Sequence, residues 1–169
     1  MSGTSSPSAD IAFNANPDAP VFTPLEIPNI IISDISQQGD EIVGSIWGGY
    51  GGFRWSKNRG YEFFPTQLAP VISGNGHKVG ATEYPGWPEL SWAGFWDGGS
   101  DPTTIDDDSW VRLDTLPGSQ GCDASLTSIW DLSRDGNVAV GHNWYDCLNI
   151  VATRWDPQEG AVELPMALS

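Results

Sequence analysis

A three-part pattern recurs three times along this chain and constrains its fold more than any other feature. Its first part is a Ser-x-x-Gly turn followed by a short apolar segment. It reads Ser36-Gln37-Gln38-Gly39-Asp40-Glu41-Ile42-Val43-Gly44, then Ser73-Gly74-Asn75-Gly76-His77-Lys78-Val79-Gly80, then Ser133-Arg134-Asp135-Gly136-Asn137-Val138-Ala139-Val140-Gly141. Apolar residues lead into each turn at 30–35, 71–72 and 129–132. Small polar residues make such a turn and Gly accepts the positive φ a tight hairpin needs, so each copy predicts two antiparallel strands.

The second part is an aromatic strand: Gly52-Phe53-Arg54-Trp55, Gly94-Phe95-Trp96 and Ala152-Thr153-Arg154-Trp155. The third is a strand ending at proline: Gly60 to Pro65, Trp110 to Pro117 and Gly160 to Pro165. Trp55 to Pro65 and Trp155 to Pro165 both span ten residues, and Ser36 to Ser73 gives a period of 37. Each unit therefore reads as four strands, A to D, with the turn joining A to B, a shortened B strand in the second unit, and insertions lengthening the second and third. The fold class expected is all-β: a β-propeller-like array of about three four-stranded antiparallel blades, at about 29–65, 66–117 and 118–165. A stray strand is expected at 21–28, and residues 1–20, rich in Ser, Ala, Asn and Pro, read as a flexible leader or linker. Three units cannot close a usual propeller of about four to eight blades, so a fragment, or self-association through unpaired blade surfaces, is expected.

Composition agrees. Gly 20 and Pro 13 punctuate the chain against long helices, and nine Trp supply filling between sheets or stacking surfaces. A net charge of −15 would repel phosphate backbones, which excludes nucleic acid as a partner. The longest aliphatic run, Ile30-Ile31-Ile32, is far too short to cross a bilayer, and no signal-peptide pattern opens the sequence.

These residues resemble the HAF-type bacterial extracellular repeat, whose units carry a Ser-x-Asp-Gly turn, a Val-Val-Gly strand, Ala-Phe-Arg-Trp and a strand ending near Leu-Gly or Leu-Pro. The third unit matches best, through Asp131-Leu132-Ser133-Arg134-Asp135-Gly136, Val140-Gly141, Arg154-Trp155 and Leu164-Pro165. The first carries Asp34-Ile35-Ser36, Val43-Gly44 and Phe53-Arg54-Trp55, with Gln38-Gly39 where the family has Asp-Gly. The resemblance covers about residues 25–165. It implies a secreted or surface-exposed bacterial protein and brings no catalytic residue with it.

Antiparallel alternation sends the D-to-A and B-to-C connections to one face and the A-to-B and C-to-D connections to the other. Cys122 and Cys147 then share a face beside the third unit, and a disulfide between them is expected. That face also collects Trp47 and Tyr50, Tyr84 and Trp87, and Asn143, Trp144, Tyr145 and Asp146. These rings and polar groups either stack on sugar or pack the loops down. On the opposite face, Asp97, Asp101, Asp106, Asp107 and Asp108 either form a solvated acidic loop or offer oxygen ligands to calcium; no other cofactor is expected. Trp55, Trp96 and Trp155 are assigned to packing between units, and Arg54 and Arg154 to ion pairs with Asp34 and Asp131. With His77 and His142 the only histidines and no Gly-x-Ser-x-Gly or His-Glu-x-x-His motif, the chain is expected to be non-enzymatic. The functions that remain are an extracellular or cell-surface interaction module, a carbohydrate-binding propeller, and an accessory segment of a secreted hydrolase.

Overall fold

The computed structural model describes residues 25, 28–47, 51–64, 67–84, 90–97, 109–122 and 125–165, with backbone alone at 67–69. The expected leader at 1–20 and most of the stray strand at 21–28 lie outside the described residues. Within them, the chain forms twelve strands and no helix, and so no helix long and apolar enough to cross a membrane.

The strands form three four-stranded antiparallel meanders. The first holds β1 (Ile30–Ile35), β2 (Glu41–Ile46), β3 (Gly52–Ser56) and β4 (Gly60–Phe64). The second holds β5 (Gln67–Ile72), β6 (Lys78–Glu83), β7 (Trp92–Asp97) and β8 (Ser109–Arg112). The third holds β9 (Thr127–Leu132), β10 (Ala139–Trp144), β11 (Ile150–Asp156) and β12 (Gly160–Glu163).

The Ser-x-x-Gly signature makes the same turn each time. The amides of Ser36, Ser73 and Ser133 donate to the carbonyls of Glu41, Lys78 and Val138 at 2.9, 2.9 and 2.8 Å. The return amides of Glu41, Lys78 and Val138 donate to the three serine hydroxyls at 3.1, 2.9 and 2.9 Å. Gly39, Gly76 and Gly136 take φ of 75°, 75° and 72°, the left-handed region in which a Cβ is costly. Each first strand is bulged at the third residue before the serine: Ser33, Pro70 and Trp130 are skipped in the ladder. A bulge tolerates proline, which explains a buried Pro70 inside a strand.

The apolar core lies between the sheets. Val43 and Phe64 of the first sheet pack on Ile72 and Val79 of the second, and Trp96 stacks on Phe64 with ring centres 5.6 Å apart. Val71, Ala93 and Leu113 of the second meet Ile129, Leu132, Ala139 and Trp155 of the third. Each fully buried side chain of this size stabilises by roughly 1.5–3 kcal/mol, so a sheet removed from its neighbour loses most of its support. The turns are stitched together at one end: the Gln37 amide donates to Gly74 O (3.0 Å) and the Asn75 amide to Arg134 O (2.8 Å).

Three expectations need correction. The last strand of the second unit does not run to Pro117 but ends at Arg112. The Leu113 amide makes one more bond to Ala93 O, and the chain then leaves the sheet to receive the third unit: Asp114 O accepts the Trp155 indole N–H at 2.6 Å. The second strand of the same unit is not shortened; β6 has six residues, like β2 and β10. Gly80 stands seven residues after its serine, in the place of Val43 and Val140, and Ala81 takes the place of Gly44 and Gly141. The arginines also pair differently. Arg54 binds Glu41 at 2.7 Å and donates to Gly76 O at 2.8 Å, while Arg154 binds Asp156 at 2.7 Å and Glu159. Asp34 is unavailable because it accepts the Ile35 amide (2.8 Å) and, across the junction, the Ile72 amide (3.0 Å). Asp131 accepts the amide of Leu132 (2.8 Å).

Of the three aligned tryptophans, Trp96 and Trp155 pack between sheets as expected. Trp55 contacts Tyr61 of its own sheet, with ring centres 6.4 Å apart.

Candidate functional site

The loop face beside the third sheet is tightly organised. Cys122 and Cys147 form a disulfide, with Cα atoms 4.7 Å apart. Next to it, the amides of Gln120 and Gly121 donate to the carbonyls of Tyr145 and Trp144 at 2.9 and 3.2 Å, and Cys122 and Ser125 exchange both backbone bonds at 2.7 Å. The long connection into the third unit is thus sewn onto the β10–β11 loop, by the covalent link and by a short backbone ladder.

Two of the polar residues expected to contact a ligand build this scaffold instead. Asn143 is fully buried; its Oδ1 accepts the Leu116 amide at 3.2 Å and its Nδ2 donates to Ser119 Oγ. It has no surface to offer a ligand. Asp146 closes the loop by accepting the amides of Leu148 (2.7 Å) and Asn149 (2.9 Å) and the Asn149 side chain. The Asn149 side chain first, and then the Leu148 amide, hold its carboxyl below the usual carboxylate range. Tyr145 donates to Glu163 at 3.4 Å; desolvation, then Glu163, pushes its phenol up. Trp47 is exposed, its amide donating to Asn29 O at 2.6 Å. Tyr50 and Trp87 lie outside the described residues.

Tyr84 and Trp144, in contrast, are brought together. Both line a cleft of about 360 Å³ with Thr82, Ser91, Ser125, Thr127, Ser128 and His142. Some of these hydroxyls are already committed: Thr82 and Ser128 share a hydrogen bond of 2.8 Å across the sheet junction, and Thr127 Oγ1 accepts the Ala93 amide at 2.6 Å. His142 stands edge-on between Trp130 and Trp144, with ring centres 5.0 and 5.8 Å away. Its Nδ1 is buried with no hydrogen-bond partner among the described residues, and burial lowers its pKa, which favours neutral imidazole. No lining residue carries a charge at neutral pH, in a chain of net charge −15.

The hydroxyls and His142 were not among the residues singled out from sequence, although the repeat contains a signal for part of the site. Counted from each turn serine, the eleventh residue is always a large ring: Trp47, Tyr84 and Trp144. The ninth is Ser45, Thr82 or His142, always polar. Alternation puts both positions on one side of the second strand, so the cleft is made of equivalent positions from adjacent sheets.

A second hollow, of about 260 Å³, opens between the second and third sheets near Phe95, Leu113 and Trp155. On the opposite face, Asp97 lies 3.8 Å from His77 Nε2 and 3.9 Å from Lys78 Nζ. Asp101, Asp106, Asp107 and Asp108 lie outside the described residues. Among the described residues, no group of three or more acidic, His or Cys side chains is placed to hold a metal ion.

No family model matches the chain, and no curated protein matches it. Solved structures do. The β-propeller domain of the Trilobed protease from Pyrococcus furiosus matches over 83% of this chain and 45% of its own, with 11% identity and a TM-score of 0.55. The fold is that of a β-propeller, present in part. TolB from Acinetobacter baumannii matches over 79% of this chain and 31% of its own (12% identity, TM-score 0.50). A putative TolB from Agrobacterium tumefaciens matches over 80% and 46% (12% identity, TM-score 0.51). This chain thus spans less than half the length of each of these structures, and its three sheets are three propeller blades.

Proposed function

We propose that this propeller segment is a non-enzymatic binding module of the extracytoplasmic, HAF-like repeat type, and that its ligand sits in the cleft between Tyr84 and Trp144. One observation carries the reading: a cleft in a strongly acidic chain is lined by hydroxyls, a neutral imidazole and two aromatic rings, with no charged side chain. An uncharged, polyhydroxylated ligand fits this chemistry. The C–H faces of a sugar ring pack on aromatic rings, and its hydroxyls exchange hydrogen bonds with the Ser and Thr hydroxyls. The disulfide and the ladder at 120–122 support the reading, because they fix Trp144 at the end of β10 and the loop that follows it before any ligand arrives. The disulfide is also what favours an oxidising compartment over the cytosol.

Affinity electrophoresis against a panel of neutral polysaccharides tests the proposal, followed by fluorescence titration of the best ligand. Retardation by at least one neutral polysaccharide is expected. Tyr84→Ala and Trp144→Ala should each weaken it about five- to twelvefold, the loss of one stacking contact of about 1–1.5 kcal/mol, while the far-ultraviolet spectrum stays native. Retention that depends on neither ring, or no retention by any neutral polysaccharide, would remove the sugar reading.

A further inference from the structure

Both junctions within the chain share a glycine turn seat and a buried residue before the turn serine, and the first adds a Val43–Arg54 pair where the second has Gly80 and Phe95; the two outer sheets carry the unmatched halves. Where the first blade meets the second, Val43 is fully buried, Arg54 is 6% exposed at its side chain, and Arg54 Nη2 donates to Gly76 O in the next blade's turn (2.8 Å). Gly76 is glycine for a second reason here: a Cβ would lie 3.1 Å from Glu41 Cγ. The next junction repeats this seat, since a Cβ on Gly136 would lie 3.0 Å from Lys78 Cδ. In the third blade, Val140 and Arg154 hold the same places, yet Val140 is 37% exposed and the Arg154 side chain 36% exposed. Trp130 is exposed beside them.

The first blade carries the opposite half. Ile72 and Leu132, each just before its turn serine, are 3% and 9% exposed against the preceding blade, whereas Ile35 in the same place is 52% exposed. A Cβ on Gly39 would meet only its own Ile35, at 3.9 Å. Among the described residues, the third blade therefore presents an empty seat, and the first presents a turn that no seat holds.

We propose that two copies of this chain join head to tail, the third blade of each seating the Gly39 turn and Ile35 of the other, and close a ring of six blades. Two copies of three sheets reach the usual blade number, and two of the similar structures are a little over twice as long as the segment matched. The contact is heterologous, and it closes into a ring of two when the rotation from copy to copy is a half-turn. In the assembly, Gly39 O takes the place of Gly76 O as acceptor for the arginine, with Arg154 in the role of Arg54. Two copies of net charge −15 repel, so association should strengthen as salt screens them.

Sedimentation velocity of the whole chain over a concentration and salt series tests this. The expected mass is twice 18.2 kDa, with the dimer favoured by added salt. Val140→Asp and Ile35→Asp, both at exposed positions, should each give single chains. An equimolar mixture of the two should recover a dimer, because the mixed pair keeps one junction with neither substitution. Gly39→Asn keeps a residue that tolerates the left-handed turn better than most while adding bulk where the seat must close, and it should weaken association at least tenfold while the far-ultraviolet spectrum stays native. A single-chain mass at every concentration, a dimer that survives both Asp substitutions, or a mixture that stays monomeric would overturn the proposal.

Discussion

At the scale of single residues, the turn serines carry the repeat. Ser73 is fully buried; its hydroxyl accepts the Lys78 amide at 2.9 Å and donates to Asn75 Oδ1 at 2.7 Å. Alanine there leaves the part-buried Lys78 amide unpaired, and the expected cost is about 1–3 kcal/mol in urea unfolding. Ser133 sits in a more open copy of the same turn, so Ser133→Ala should cost less. Equal, negligible losses at both positions would show that the hydroxyl is incidental. This motif was legible in the sequence because its bonds close within six residues and depend on nothing distant. The arginine partners were not: Arg54 takes Glu41 and Arg154 takes Asp156 and Glu159, all within their own sheets, while the expected Asp34 is taken by the next sheet's Ile72 amide. Asn143 misled because its partners, Leu116 and Ser119, lie 27 and 24 residues away.

At the scale of elements, strand alternation was enough to put Cys122 and Cys147 on one face, and the disulfide follows from that placement. It closes a loop of sequence separation 25, for which chain entropy gives a stabilisation of roughly 3–4 kcal/mol. Reduction, or the paired Cys122→Ala and Cys147→Ala exchange, should lower unfolding stability by about that amount, read from denaturant midpoints with and without reductant. An unchanged midpoint would mean that the backbone ladder at 120–122 already holds the loop. The end of β8 was less legible. Trp110 to Pro117 alternates well enough to pass for one strand, but the carbonyl of Asp114 and the amide of Leu116 serve the third sheet. The cleft was half legible: its rings and Thr82 recur in register, whereas Ser91 and Ser125 come from the segments just before β7 and β9, where the repeat is interrupted by insertions, and Thr127 and Ser128 open β9 itself.

At the scale of the whole molecule, the blades depend on one another, since the core lies between sheets and not within any one of them. Stability should therefore be shared, with no blade melting far below the others. The amides that cross from blade to blade report this directly: Gln37 to Gly74 O, Ile72 to Asp34 and Asn75 to Arg134 O. Native-state amide exchange, resolved by residue, should find these three protected within about tenfold of the central-strand amides of β2, β6 and β10, as members of one cooperative unit. Free exchange at all three, beside well-protected strands, would mean that the sheets form without packing as adjacent blades.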